Sequence, residues 1–166
     1  DLFRGAGDRA AERADDCVTE EHVRDSQDEV DKDRSLKLIE GLTTQKKISL
    51  FATAAVAHYS SETMTDVPSP VGFQVYQWLT DQLDADQMTR ETFVKYVKEL
   101  STYGLISTTR ESRGRGGGMY MVFSFTGDPE GMLERVVEDT RLEDLRGDED
   151  LLASVVDAQL EQFEEK

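Results

Sequence analysis

Ser112-Arg113-Gly114-Arg115-Gly116-Gly117-Gly118 separates two runs of strand-forming residues, Leu105–Thr109 and Met119–Phe125. This glycine-rich insertion limits the fold more than any other feature. Its glycines cannot belong to a helix interior, where each costs about 1 kcal/mol relative to alanine. They adopt positive φ without penalty. Between two strand-like runs they predict the tip of a β-hairpin. The tip also carries two arginines, which a turn does not need.

The residues leading into the hairpin have helical spacing. Phe93, Val97 and Leu100, with Tyr96 beside them, predict a helix over Thr89 to Tyr103, capped by Thr89 and ended by Gly104. Asp84 to Gln87 is a short turn. Before it, Phe73, Tyr76, Trp78, Leu79 and Leu83 make an amphipathic helix, with Ser69 as N-cap and Pro70 at the first helical position. Ser60 to Asp66 reads as a polar loop. Ile48, Phe51, Ala52, Ala55, Val56 and Tyr59 give a broad apolar face to a helix capped by Thr43 or Thr44, expected to be the most buried one.

Further towards the N-terminus, Thr19 caps a helix, or a bent pair of helices, through Val23, Val30, Leu36 and Ile39 to Gly41. Residues 2–14 read as a helix end broken by Asp15 and Asp16. After the hairpin, Gly127-Asp128-Pro129 starts a helix with Met132, Leu133, Val136 and Val137. Leu152, Val155, Val156, Leu160 and Phe163 recur at helical spacing among acids. The expected fold class is mainly α with a small β-hairpin: a winged helix-turn-helix.

That order of elements suits duplex DNA. The second helix of the turn pair fits the major groove, and the hairpin beside it reaches the backbone or minor groove. Residues near the start of such a helix contact bases, which assigns Arg90, Thr92 and Lys95 to the groove, and Lys98 to phosphate. Glu91 either accepts from cytosine or complements the helix dipole. In the wing, Arg113, Gly114, Arg115 and Gly116 are the expected contacts, with Arg110 in the incoming strand. Arginine is drawn to the negative potential of a narrow minor groove. Tyr120 either braces the wing or is a plain strand residue.

Charge is the main objection. The chain carries 35 acids against 19 bases, a net charge of -16, a poor match for a polyanion. Residues 89–120 are the exception: six bases (Arg90, Lys95, Lys98, Arg110, Arg113, Arg115) stand against three acids (Glu91, Glu99, Glu111). Arginine outnumbers lysine and acids are scattered along the rest, as expected of a protein from a salt-rich cytoplasm. At 1 M salt the Debye length is about 3 Å, so distant acids barely disturb a basic patch.

Other chemistries find little support. Cys17 is the sole cysteine, and His22 and His58 lie far apart, so neither a disulfide nor a Cys/His zinc site is expected. Aspartates beside Cys17 oppose thiolate formation. No Ser or Cys triad spacing accompanies His22, and Asp15-Asp16 and Glu20-Glu21 read as solvated pairs, so no catalytic residue is assigned. The longest apolar stretch, Ile48 to Ala57, is too short to span a membrane, and no membrane partner is expected.

Val18-Thr19-Glu20-Glu21-His22-Val23, Asp33-Arg34, Ile39-Glu40-Gly41-Leu42, Tyr96-Val97-Lys98-Glu99-Leu100, Gly104-Leu105-Ile106 and Ser112-Arg113-Gly114-Arg115-Gly116 follow one another in an order that resembles archaeal origin-recognition initiators. These are AAA+ ATPases related to the eukaryotic origin-recognition complex. The likeness covers roughly Asp1 to Leu145. It implies that 1–34 is the remnant of AAA+ lid helices, that 35–140 is a winged-helix domain for double-stranded origin DNA, and that 141–166 is an acidic C-terminal helical tail. It implies sequence-specific binding at replication origins in the cytoplasm, with ATP, Mg and the replicative helicase as cofactors and partner of the full-length protein. No G-x-x-x-x-G-K-[ST] occurs in the chain, so neither nucleotide binding nor enzyme activity is expected of this piece, which reads as a monomeric fragment starting at Asp1.

Two other functions fit the same elements. A winged helix used for protein–protein interaction would expose Val94 and the Leu152 to Phe163 stripe as contacts, although an aliphatic stripe of this kind is more often core packing. A winged-helix transcription regulator would use the last helix as a dimer arm.

Overall fold

A computed structural model describes residues 20–62 and 64–166. The expected helix end at 2–14, the acid pair Asp15-Asp16, Cys17 and the Thr19 cap lie outside the described residues. The chain divides into two compact units, Asp1–Lys37 and Leu38–Lys166. The described part of the first is the helix α1 (Glu20–Glu40), which continues to Glu40 as a single element rather than a bent pair. Glu20 and Glu21 occupy its first turn and Lys37 its last, each charge opposing the nearby end of the helix dipole.

The second unit is built around α2 (Thr44–Tyr59), whose residues Lys47 to Ala57 are all buried. A helix apolar on every side must be surrounded. Here α3 (Ser69–Gln82), α4 (Arg90–Ser101), α5 (Pro129–Val137) and α6 (Glu149–Glu164) all pack on it. Its two buried hydroxyls are satisfied within the helix: Ser49 donates to the Gln45 carbonyl at 2.8 Å and Thr53 to that of Ser49 at 2.9 Å. The buried Lys47 ammonium donates to Asp139 Oδ2 at 2.9 Å, and Arg141 binds both oxygens of the same carboxylate. The bonds from Arg141 and then Lys47 hold the Asp139 carboxyl far below the usual aspartate range. The network ties the start of α2 to the residues that follow α5.

The hairpin strands β2 (Ile106–Ser112) and β3 (Met119–Phe125) pair antiparallel, Ile106 opposite Phe125 and Ser112 opposite Met119. A third strand, β1 (Asp66–Pro68), pairs with the other edge of β3 and gives the order β1-β3-β2. Sequence alone predicts a polar loop through Asp66 and no strand over 66–68. Three residues are too few for a period-2 pattern to show, and proline discourages a strand reading, although it is tolerated on an edge. Ser69 was expected to cap α3. The helix begins at Ser69 itself, after Pro68, and the Ser69 hydroxyl accepts from the Met121 backbone N–H at 3.2 Å, so it serves the sheet instead.

Residues 141–166 were expected as an acidic tail. They belong to the same compact unit as the winged helix. Leu142, Leu145, Leu152 and Val156 are buried, and α6 lies against both α2 and α3. Glu149, Asp150, Glu161 and Glu164 of α6 are exposed while Leu152 and Val156 of its aliphatic stripe are buried, as expected where such a stripe packs into a core.

Candidate nucleic-acid interface

Thr89 caps α4, its hydroxyl accepting from the Thr92 N–H at 3.3 Å. Phe93, Val97 and Leu100 are fully buried. That orientation is set by aromatic packing: the Phe93 ring lies 5.6 Å from Phe73 and 5.3 Å from Tyr76. Gly72 brings α3 close, since a Cβ there would stand 3.4 Å from the Phe93 ring. The opposite face of α4 is turned to solvent. Arg90, Glu91, Lys95 and Lys98 are exposed, with Val94 and Thr92 half-buried. Arg90, Val94 and Lys98 form one row, because residues four apart share a helix face.

The turn between α3 and α4 is held by a part-buried polar relay. The Tyr76 hydroxyl donates to Gln45 Oε1 at 2.7 Å and accepts from the Met88 N–H at 3.0 Å. Gln45 Nε2 donates to the Asp86 carbonyl at 2.9 Å. Three bonds therefore tie the turn to α2 and fix where α4 starts.

The ion-pair partner of Glu99 is not an exposed cation of α4, although Lys95 acts on it at longer range. Lys46, on α2, pairs with it at 2.7 Å and lies 5.3 Å from the centroid of the Tyr96 ring. The bond lowers the Glu99 pKa and raises that of Lys46. Among the described residues, Arg90, Lys95, Lys98, Arg110 and Arg115 form no ion pair with a carboxylate.

The wing tip depends on glycine. Gly114, Gly116 and Gly118 have φ of 82°, 88° and 73°, values that L side chains rarely adopt. At Gly117 a Cβ would fall 2.2 Å from that of Arg113. Gly114 and Gly116 lie with Arg115 at the exposed tip, and Arg110 is exposed on β2.

Arg113 departs from its expected place as an outward wing contact. Its guanidinium folds back on α6: Nη2 donates to the Phe163 carbonyl at 2.8 Å, and Cζ sits 3.6 Å over the Phe163 ring. Tyr120 stands edge-on to the same ring at 5.3 Å, and its hydroxyl donates to Glu111 Oε2 at 3.1 Å. A planar, weakly hydrated cation stacks readily on an aromatic face, and the sequence reading had not paired residues 50 positions apart. Phe163 and Lys46 were both missed as parts of the interface. The only sequence signal for Phe163 was its place at the end of the α6 stripe.

A cleft of about 460 Å³ opens among the wing, α3 and the end of α6; Val71, Arg90, Arg113, Met119, Gln162 and Lys166 are among its lining residues. Among the described residues no group of three or more His, Cys, Asp or Glu could hold a metal ion, and no helix is long and apolar enough to cross a membrane.

A family model described as the CDC6 C-terminal winged helix domain matches residues 37–135. The chain is 73% identical over 165 residues to ORC1-type DNA replication protein 5 of Halobacterium salinarum and 53% identical over 167 residues to ORC1-type DNA replication protein 14 of Haloarcula marismortui. It covers 39% of each of those proteins and 99% of itself is matched in both. A solved structure of the Aeropyrum pernix ORC1 protein, in complex with DNA, superposes with a TM-score of 0.73 at 24% identity, covering 87% of this chain and 36% of that one. At that identity the likeness concerns the fold.

Proposed function

The chain belongs to the Cdc6 C-terminal winged-helix family, and from that membership we propose that it binds double-stranded origin DNA in a sequence-specific manner. In this reading α4 enters the major groove, where Arg90, Thr92 and Lys95 meet base edges and Lys98 meets phosphate. Arg110 and Arg115 meet the backbone or minor groove, and Gly114 and Gly116 let the wing approach closely.

One observation carries the reading. In a chain of net charge -16, five cations on α4 and its neighbouring hairpin have no carboxylate partner among the described residues, while the nearby Glu99 is neutralised by Lys46. Phosphate is the complement of such a surface. The replication proteins among its relatives and the DNA-bound structure of similar fold support the same ligand. The halophilic relatives fit an acidic body working in a salt-rich cytoplasm, where screening confines the acids' influence to a few ångströms.

The chain spans 39% of the length of those relatives. ATP and Mg binding, and any dealings with the replicative helicase, are assigned to the remainder of the longer protein, with residues 1–34 closing its lid. This chain acts as a monomer.

Fluorescence anisotropy with labelled origin-repeat and random duplexes, over a range of KCl, tests the proposal. The expected slope of log K against log salt is about -0.9 for each phosphate contacted. Lys95→Ala should narrow the gap between origin and random duplexes, whereas Lys98→Ala should weaken both alike. No preference for origin duplex at any salt would overturn sequence-specific binding.

A further inference from the structure

We propose that the C-terminal helix α6 sets the pose of the wing, with Arg113 and Phe163 acting as positioning residues and Arg115 left to make the contact. The inference rests on the DNA-binding reading for its consequence, but not for its geometry.

The wing lacks means of its own to hold a direction. Its tip is mostly glycine, and the bonds there are internal: Arg113 N–H to the Gly118 carbonyl at 3.2 Å, Gly117 N–H to that of Gly114 at 3.3 Å, and Gly114 N–H to the Ser112 hydroxyl at 3.2 Å. Such bonds shape the loop without orienting it towards α4. Orientation comes from outside the hairpin. Phe163 lies in the last turn of α6, where carbonyls have no intrahelical donor and the helix dipole favours a cation. Arg113 supplies both needs, donating to that carbonyl while stacking on the ring that follows from the same residue. Tyr120, on β3, closes the cluster from the other strand of the hairpin.

The far end of α6 is rigid. Leu152 and Val156 are buried in the core, Asp148 caps the helix by accepting from the Leu151 N–H at 3.1 Å, and Asp157 accepts from the Ser61 N–H at 2.9 Å. Rigidity thus passes from the core through α6 and the Phe163–Arg113 stack to the wing. The Arg113 guanidinium is held against α6, and in this proposal it makes no phosphate contact.

Two readouts on the 166-residue chain decide the matter. Without DNA, amide hydrogen exchange at 114–118 should quicken in Arg113→Ala and Phe163→Ala, while Arg115→Ala leaves it unchanged. With duplex DNA, Arg113→Ala and Phe163→Ala should each weaken binding about five- to tenfold, the range expected when one stacked cation is lost. Their salt slope should stay that of the parent, and the double variant should be no weaker than either single. Arg115→Ala should lower the slope by about one contact. A slope that falls in Arg113→Ala as in Arg115→Ala, with Phe163→Ala silent in both readouts, would overturn the proposal. If Phe163→Ala fails to fold, Phe163→Leu keeps apolar volume without the ring face; faster exchange at the tip supports the brace and parental exchange refutes it. Absence of duplex binding by the parent chain would refute the DNA reading alone, since the exchange experiment still judges the brace.

Discussion

Tyr76 shows how one atom positions a binding element. Its side chain is fully buried, and its hydroxyl sits between the Gln45 amide and the Met88 N–H. Burial pushes the phenol pKa up, so the group stays a neutral donor at all ordinary pH. Tyr76→Phe would leave Gln45 Oε1 and the Met88 N–H without this partner in a part-buried site. The expected cost is about 1–3 kcal/mol, measurable as a lower urea midpoint at unchanged m-value. Because Met88 directly precedes the Thr89 cap, origin-duplex affinity should fall with it. Periodicity identified Tyr76 as inward-facing but could not say what its oxygen would bind, since Gln45 comes from a helix 31 positions earlier. Arg113 teaches the converse lesson. A charged residue in a glycine loop looks free in sequence and is committed in space.

At the scale of elements, α4 was legible because its signals agree: a threonine cap, apolar residues at positions three and four apart, and a glycine beyond the end. The hairpin was legible because glycine has few other uses between two apolar runs. Its inner geometry adds a prediction. Gly117→Ala would drive a Cβ into Arg113, so the tip must reshape while the core, far from it, is untouched. Thermal unfolding should be close to parental, and duplex affinity should fall together with the origin-over-random preference. Parental affinity would mean that the tip's shape does not matter. The strand β1 stayed hidden because its pairing with β3 is a property of two segments, and neither holds the register alone.

At the scale of the molecule, charge is distributed by burial as much as by order along the chain. A net charge of -16 on 166 residues imposes self-repulsion on the compact state. Potassium chloride should therefore raise the thermal midpoint between about 0.1 and 1 M, as the Debye length shrinks from about 10 to about 3 Å, even while it weakens DNA binding. A midpoint that falls with salt would show that attractive surface ion pairs such as Arg146–Glu149 outweigh repulsion. The amino-acid sequence alone determined the helical class, the hairpin, α4 and its inward face, because these depend on local periodicity, caps and glycine. It also set apart one window, residues 89–120, in which bases outnumber acids. Tertiary structure decided which of those cations remain unpaired, that Lys46 neutralises Glu99, that Arg113 is held by Phe163, and that the acidic last helix is part of the core. Those outcomes depend on residues distant in the chain meeting across packed surfaces, and no local pattern encodes such meetings.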